Sequence, residues 1–246
     1  VGRHPNSLKK ALRYKAIDRG TVDVREGVSG AEFVIVATPV GVIVPLVRSI
    51  TSCLQKGTII TDTGSTKQEV VSQIERFLPR DFNFVGSHPM AGSEKQGVES
   101  ADAKLFCNSV CIVTKTTNTK RVPMQIVSQF WNNIGARVHF LSPSDHDRII
   151  AMISHLPHIA ATALVNSVDK KDLVFASGGF RDTTRIVSGS PRMWVDICIS
   201  NSKGILMSLN KFNKEIKTLK EAISRKDAEG LLAEFCRAKS MREKLL

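Results

Sequence analysis

The stretch Thr58-Ile59-Ile60-Thr61-Asp62-Thr63-Gly64-Ser65-Thr66, followed by an amphipathic segment from Lys67 to Phe77, decides the fold of this chain. It combines a short β-rich run, a small-residue turn and a helix. The same order occurs just before it, in the apolar run 33–37, the turn 38–41 and a helix through about Cys53. Such alternation is typical of a parallel α/β sheet that carries helices on its faces.

A histidine follows the next apolar run, in the segment Gly86-Ser87-His88-Pro89-Met90-Ala91-Gly92-Ser93-Glu94. We expect His88 to lie in a small-residue turn after residues 82–85, at the carboxyl end of a strand. Ligands of open α/β sheets bind outside these strand ends, and imidazole titrates near neutrality, so His88 is a candidate base. A histidine that only caps a turn is the structural alternative. Strands 110–113 and 138–141, around a helix near 122–134, extend the sheet.

After Pro143 the pattern contains helices only. One apolar-rich helix runs from about Asp145 towards Val168, with an interruption expected at Pro157, and two more span about 193–223 and 227–244. We therefore predict two domains, a Rossmann-like α/β domain over residues 1–142 and an all-helical domain over 143–246. Apolar helices of this kind often pair subunits, which favours a homodimer.

Composition bounds the function classes. Of the 246 residues, 42% are apolar and 24% are charged, and no uninterrupted apolar run reaches the roughly 18 residues needed to cross a membrane. Five scattered cysteines argue against a disulfide framework and a zinc site, and they favour the cytoplasm. The net charge of +12 is spread over helical stretches with interleaved glutamates, without aromatic neighbours, so we do not expect nucleic-acid binding.

The start of the chain differs from an ordinary dinucleotide-binding fold. Such folds open with a strand, a Gly-x-Gly-x-x-Gly turn and a helix that hold the pyrophosphate. Here Val1-Gly2-Arg3-His4 resembles the end of the second strand, with a helix around 7–14, so roughly 30 residues of the first βα unit are expected to be missing. A domain that never bound a dinucleotide is the alternative.

Four motifs, taken in order, closely resemble the prephenate and arogenate dehydrogenase family of tyrosine biosynthesis. Met193-Trp194 fits the same pattern, and the resemblance covers the whole printed chain. The motifs are Asp62-Thr63-Gly64-Ser65-Thr66-Lys67, His88-Pro89-Met90-Ala91-Gly92-Ser93-Glu94, Ser154-His155-Leu156-Pro157-His158 and Gly178-Gly179-Phe180-Arg181-Asp182-Thr183-Thr184-Arg185.

The resemblance implies an NAD(P)-dependent oxidoreductase that performs an oxidative decarboxylation. In this family His88 would accept the proton of the ring hydroxyl at C4, while hydride leaves that carbon for the nicotinamide and carbon dioxide is lost from C1. A neutral imidazole suits this base. Ser65 would hydrogen-bond the same hydroxyl, although it is also placed to cap the helix that follows.

The resemblance also assigns substrate contacts. Arg185 would hold the ring carboxylate, which a guanidinium can do with two parallel bonds. Ser154 and His158, four residues apart, would face the substrate together, whereas His155 is expected to face elsewhere. Asp182 and Glu94 would form an ionic gate, with surface ion pairing as the alternative. Metal binding by His155 and His158 is a rival explanation, but no third ligand is evident nearby.

Cofactor choice depends on Arg3. NAD-binding folds tend to carry an acid at the end of the second strand, whereas arginine there accommodates the 2′-phosphate of NADP. We therefore expect NADP, with NAD as the alternative, and place Thr38, Pro39 and Ser65 among the cofactor contacts. The sequence leaves open whether the substrate is prephenate or arogenate, and whether the chain is instead a non-catalytic fragment of such an enzyme.

Overall fold

A computed structural model describes residues 1–92 and 97–245, and it confirms the expected α/β architecture. Three parallel strands form one sheet in the order β1-β2-β3, and three further strands form a second sheet in the order β4-β5-β6. In the second sheet β4 runs antiparallel to β5, while β5 and β6 are parallel. The expectation that the strands at 110–113 and 138–141 extend the first sheet is therefore wrong, because they pair with β4 and with each other. The strands are β1 (Phe33–Val36), β2 (Ile59–Asp62), β3 (Asn83–Val85), β4 (Ser87–Pro89), β5 (Val110–Thr114) and β6 (Arg137–Leu141).

Helices connect the strands in the first part of the chain and make up the part after Leu141. Those between strands or before them are α1 (Pro5–Arg13), α2 (Val24–Val28), α3 (Val40–Ile50), α4 (Gln68–Phe77) and α5 (Arg121–Asn133). Those of the second part are α6 (Pro143–Ile150), α7 (Leu156–Asn166), α8 (Gly178–Thr184), α9 (Pro191–Ser200), α10 (Ser202–Arg225) and α11 (Ala228–Glu243).

Strand alternation explains why helices cover both faces of the first sheet. Val34, Ile60 and Phe84 are neighbours in register and belong to one core cluster, which also contains the buried residues of α3 and α4. Ile59 and Val85 point to the opposite face and join a second cluster with Trp131 of α5 and two residues of β5. Because successive strand side chains alternate between faces, each face of the sheet buries its own layer of helices.

The structure corrects the expected setting of His88. It lies in the middle of β4, opposite Ile112 of β5, and not in a turn. Gly86 carries the chain from the first sheet to the second, and a Cβ atom there would lie 2.6 Å from Oγ1 of Thr114. Pro89 is tolerated because β4 is an edge strand, where a missing N–H costs no ladder bond.

The helical part departs from the expected pattern at two points. Residues Ala151–His155 form a π-helical turn between α6 and α7, so the interruption expected at Pro157 is confirmed but begins earlier. The proline ring crowds the carbonyl of the residue four positions before it, which widens the preceding turn. The helix expected over 193–223 is broken at Asn201, whose φ of −116° and ψ of 32° are not helical.

The expected strand at the start of the chain also needs correction. Residues 1–4 form no strand within the described part of the chain, and the Gly2 N–H donates instead to the carbonyl of Thr21. The stretch Pro143–Asn166 is long and apolar enough, by length and composition alone, to cross a membrane. His146, Asp147 and His155 on this stretch are buried and hydrogen-bonded within the protein, as in a core helix.

Candidate active site

A cavity of about 270 Å³ lies where β4, the π-helical turn and α9 meet. It brings together three residues that the sequence proposed for the site, Ser65, His88 and Ser154. His155, which was expected to face elsewhere, lines the same cavity because the π-helical turn directs consecutive residues towards it. The remaining lining residues are Pro89, Met90, Ala91, Gly92, Met193, Trp194 and Ile197.

His88 is held by a chain of hydrogen bonds that reaches into α6. Its Nδ1 lies 2.8 Å from Nε2 of His146, and Nδ1 of His146 lies 2.7 Å from Oδ1 of Asp147. His88 is only 9% exposed, and burial lowers its pKa well below the ordinary value, with smaller effects from His146 and Lys67. Burial also lowers the pKa of His146. Both imidazoles are therefore neutral at pH 7.

A fully buried ion pair supports the turn that carries Ser65. Lys67 pairs with Oδ2 of Asp62, and neither side chain is exposed. The same carboxylate accepts hydrogen bonds from the backbone N–H groups of Gly64, at 2.9 Å, and Ser87, at 3.1 Å. It thus ties the turn after β2 to the residue before His88. A Cβ atom on Gly64 would lie 2.6 Å from Ile43 and 2.8 Å from Asp62, so a larger residue would displace these side chains.

Asp147, which lies on α6, caps the N-terminus of α4. Its Oδ1 accepts from Lys67 N at 2.7 Å and its Oδ2 from Gln68 N at 3.0 Å. A carboxylate at this position satisfies N–H groups that lack partners inside the helix and interacts favourably with the helix dipole. Ser65 therefore does not cap α4, which removes the structural alternative raised for it and leaves its half-buried side chain at the cavity.

Two histidines at the start of α7 pack around one indole. The rings of His158 and Trp194 stack with centroids 3.5 Å apart and planes at 9°, and His155 meets Trp194 edge-on. Asn201 Nδ2 donates to Nδ1 of His155 at 3.3 Å. Within the described residues, His155 Nε2 and His158 Nδ1 are buried without hydrogen-bond partners, and burial lowers the pKa of both rings, that of His155 to about 4. Both rings are therefore neutral at pH 7.

The proposed carboxylate anchor lies on a neighbouring element. Arg185 is exposed and begins the 3-10 turn Arg185–Ser188 after α8, and this turn packs against α7. Asp182 is also exposed, one turn earlier. Neither lines the cavity around His88 within the described residues. Glu94 lies outside the described residues. No group of three potential metal ligands occurs in the described part of the chain.

The residues proposed for the cofactor occupy the carboxyl ends of adjacent parallel strands. Thr38 and Pro39 follow β1, Ser65 follows β2, and the last residues of these strands are paired in register. Within the described part of the chain, Oγ1 of Thr38 is buried without a hydrogen-bond partner, so it is free to bond a polar group of a ligand. The edge formed by these strand ends therefore fits a nucleotide. Arg3 is exposed, two residues before α1.

The polar residues beneath the cavity are not evident as site residues from the sequence. His146, Asp147, Lys67 and Asn201 are buried, yet each belongs to a polar or charged stretch that ordinarily faces solvent. The one signal in the sequence is the cluster Asp145-His146-Asp147 at the start of a helix. It places a histidine beside acids that could pair with it, and buried charges occur only where they are paired.

The chain matches two family models over nearly its whole length. Residues 1–140 match "Prephenate dehydrogenase, nucleotide-binding domain" and residues 142–237 match "Prephenate dehydrogenase, dimerization domain". Among curated proteins, the prephenate dehydrogenase of Bacillus subtilis is 39% identical over 96% of this chain. The cyclohexadienyl dehydrogenase of Zymomonas mobilis is 33% identical over 91%. The chain spans 65% of the B. subtilis protein and 79% of the Z. mobilis protein.

Solved structures agree with these matches. A prephenate dehydrogenase from Aquifex aeolicus, in complex with hydroxyphenyl propionate and NAD⁺, is 32% identical with a TM-score of 0.93, covering 100% of this chain and 87% of its own. An arogenate dehydrogenase from Synechocystis is 26% identical with a TM-score of 0.85, covering 100% and 90%. With its motifs, its fold and these matches, the chain belongs to the prephenate dehydrogenase family.

Proposed function

We propose that the protein is an NAD(P)-dependent dehydrogenase that converts prephenate to 4-hydroxyphenylpyruvate by oxidative decarboxylation. The observation that carries this proposal is the cavity in which the buried, neutral His88 meets Ser65 and Ser154. His88 accepts the proton of the substrate's ring hydroxyl, and Ser65 hydrogen-bonds the same oxygen. Burial of His88 strengthens its interaction with the hydroxyl, because a hydrogen bond is stronger where the local dielectric is low.

Substrate anchoring is proposed for the helical part of the chain. Arg185 binds the ring carboxylate, and Ser154 and His158 contact the substrate from the π-helical turn and α7. The unsatisfied Nδ1 of His158 supports this role, because a buried polar atom gains a full hydrogen bond when a ligand reaches it. Asp182 and Glu94 act as the ionic gate of this region.

NADP is the proposed cofactor, with NAD as the alternative. When bound, a nicotinamide cofactor supplies the acceptor for the hydride. Thr38, Pro39 and Ser65 would hold it at the carboxyl ends of β1 and β2, and the cationic Arg3 favours the extra phosphate of NADP. The A. aeolicus relative is described with NAD⁺, so the choice between the two cofactors has to be measured.

A cytoplasmic homodimer is the proposed working form. All five cysteines are free, which suits a reducing compartment. The helical part also exposes large apolar side chains that a partner subunit would cover, namely Ile153, Val174, Phe175, Ile199 and Leu206. Light scattering should give twice the chain mass, whereas a monomeric mass would contradict the dimer.

Steady-state kinetics on the full-length protein test the activity. We expect the highest kcat/KM for prephenate with NADP among the four combinations of prephenate or arogenate with NADP or NAD, followed at 340 nm. His88→Asn should lower kcat by about 10²–10⁴-fold. The control His139→Asn changes an exposed histidine on β6 and should leave kcat unchanged.

Three other outcomes of these kinetics would contradict the proposed substrate, cofactor or activity. Preference for arogenate would replace the proposed substrate with the one named for the Synechocystis structure. A preference for NAD would contradict the proposal that Arg3 favours the extra phosphate of NADP. A folded protein that turns over neither substrate with either cofactor would refute the proposed activity and support a non-catalytic role.

A further inference from the structure

We propose that His146 and Asp147 are positioning residues, which hold His88 in the tautomer whose Nε2 is free to accept a proton. The inference rests on the proposed role of His88 as the base. Neither His146 nor Asp147 lines the cavity, so both act through His88.

The carboxylate of Asp147 determines which nitrogen donates in each hydrogen bond between Asp147, His146 and His88. Its carboxylate faces three N–H groups, those of Lys67, Gln68 and the His146 ring, at 2.7, 3.0 and 2.7 Å. An ionised carboxylate only accepts hydrogen bonds, so Nδ1 of His146 must carry a proton. In a neutral imidazole the other nitrogen then accepts, which obliges Nδ1 of His88 to donate across the 2.8 Å contact. Nε2 of His88 is left without a proton.

The neutral state of His146 is essential to this order. Its side chain is fully buried, and burial lowers its pKa. If His146 were protonated, both of its nitrogens would donate, and His88 would have to carry its own proton on Nε2. Among the described residues, the charged and titratable groups around this pair are Asp62 and Lys67 below it, Asp147 on α6, His155 on the π-helical turn and Cys111 on β5.

Asp147→Asn tests the inference with a side chain of the same size. Oδ1 of Asp147 accepts from both Lys67 N and Nδ1 of His146, whereas Oδ2 accepts from Gln68 N. An asparagine NH₂ group at the Oδ1 position gives up the hydrogen bond from Lys67 N and donates to Nδ1 of His146, which reverses every proton between His146 and His88 and places one on Nε2 of His88. A reversed tautomer costs a Ser-His-Asp triad about 10⁴ in kcat. We expect a loss of about 10²–10⁴ in kcat with KM changed less than about threefold.

Two variants of His146, with Asp145→Asn as a control, distinguish a positioning role through hydrogen bonds from a packing role. Asp145→Asn changes an exposed neighbour on the same helix and should leave kcat within about twofold. His146→Gln offers one acceptor and one donor in place of the two ring nitrogens, so it should retain at least about ten times the kcat of His146→Leu, which offers neither. Equal losses in these two variants would contradict positioning by hydrogen bonds.

The protonation order can also be observed without turnover. Two-bond ¹H–¹⁵N correlation spectra of the ¹⁵N-histidine-labelled protein distinguish the tautomers, and His88 should be protonated on Nδ1 in the wild type and on Nε2 in Asp147→Asn. An Nε2-protonated His88 in the wild type, or unchanged kcat in an Asp147→Asn protein whose His88 is protonated on Nε2, would overturn the inference. An inactive wild type with the expected tautomer would instead refute the proposed function alone.

Discussion

Lys67→Met probes the buried ion pair beneath the candidate active site. The Lys67 and Asp62 side chains are both fully buried and paired. Methionine replaces the lysine stem with an apolar chain of similar reach and removes the charge. Asp62 then keeps its hydrogen bonds from Gly64 N and Ser87 N but has lost the cation that balanced its charge.

The expected loss is large because the remaining carboxylate cannot reach water. Removing one partner of a buried ion pair costs about 3–5 kcal/mol. The two backbone N–H donors still stabilise Asp62, which places the expected cost near the lower end, at about 3 kcal/mol. For a chain of this size each kcal/mol corresponds to about 2–4 °C in Tm, so Tm should fall by roughly 6–12 °C.

Equilibrium unfolding in urea, followed by tryptophan fluorescence, measures this loss. Trp131 is a suitable reporter, since its indole donates to Ser87 Oγ at 3.0 Å. Lys56→Met is the matched control, because the Lys56–Asp81 pair has the same chemistry but is 85% and 55% exposed, and it should cost less than about 1 kcal/mol. If the two variants lost the same stability within about 0.5 kcal/mol, burial would not be the source of the energy.

Three further outcomes follow from the same region. The buried His155 has a pKa of about 4 when folded, against about 6.5 when unfolded, so its stability contribution is complete above pH 6.5 and lost on acidification. It should cost about 3 kcal/mol by pH 4, and pH-independent urea midpoints between pH 7.5 and 4 would contradict this. Gly64→Ala should destabilise by about 1–3 kcal/mol through overpacking, whereas Gly178→Ala, which meets no atom within 4 Å, should be neutral in the same assay. Burial raises the pKa of Cys111 to about 12, so mass spectrometry should find iodoacetamide on the exposed Cys107 at pH 8 but not on Cys111 unless the protein unfolds.

The regular strands were predictable from their β-rich runs. β1, β2, β5 and β6 coincide with these runs to within a residue or two. Burial explains this for β2 and β5, whose apolar side chains are covered on both faces, whereas β6 is largely exposed. β4 could not be found this way. It has three residues, ends in proline and exists only through its pairing with β5, more than twenty positions further along. The break at Asn201 likewise depends on contacts with Asp147 and His155 from another helix.

The site was predictable only where motifs carry it. Ser65, His88 and Ser154 came from the motifs and meet at one cavity. His146 and Asp147 did not, because a charged cluster at a helix start is ordinarily solvated, and only tertiary packing buries it. Ordinary helical spacing predicts that His155 faces away from the substrate, but the turn that carries it is π-helical and brings it to the cavity.

The charged groups beneath His88 carry a net negative charge. Asp62 and Asp147 carry two negative charges against the single positive charge of Lys67, and the N-terminus of α4 offsets about half a charge more. Burial and Lys67 keep His88 neutral before reaction. In the proposed mechanism, a proton from the substrate would form an imidazolium on His88, and His146 would link it through hydrogen bonds to the carboxylate of Asp147. Preorganised charge of this kind would stabilise the transition state without rearrangement, and it would offset part of the burial that lowers the pKa of His88.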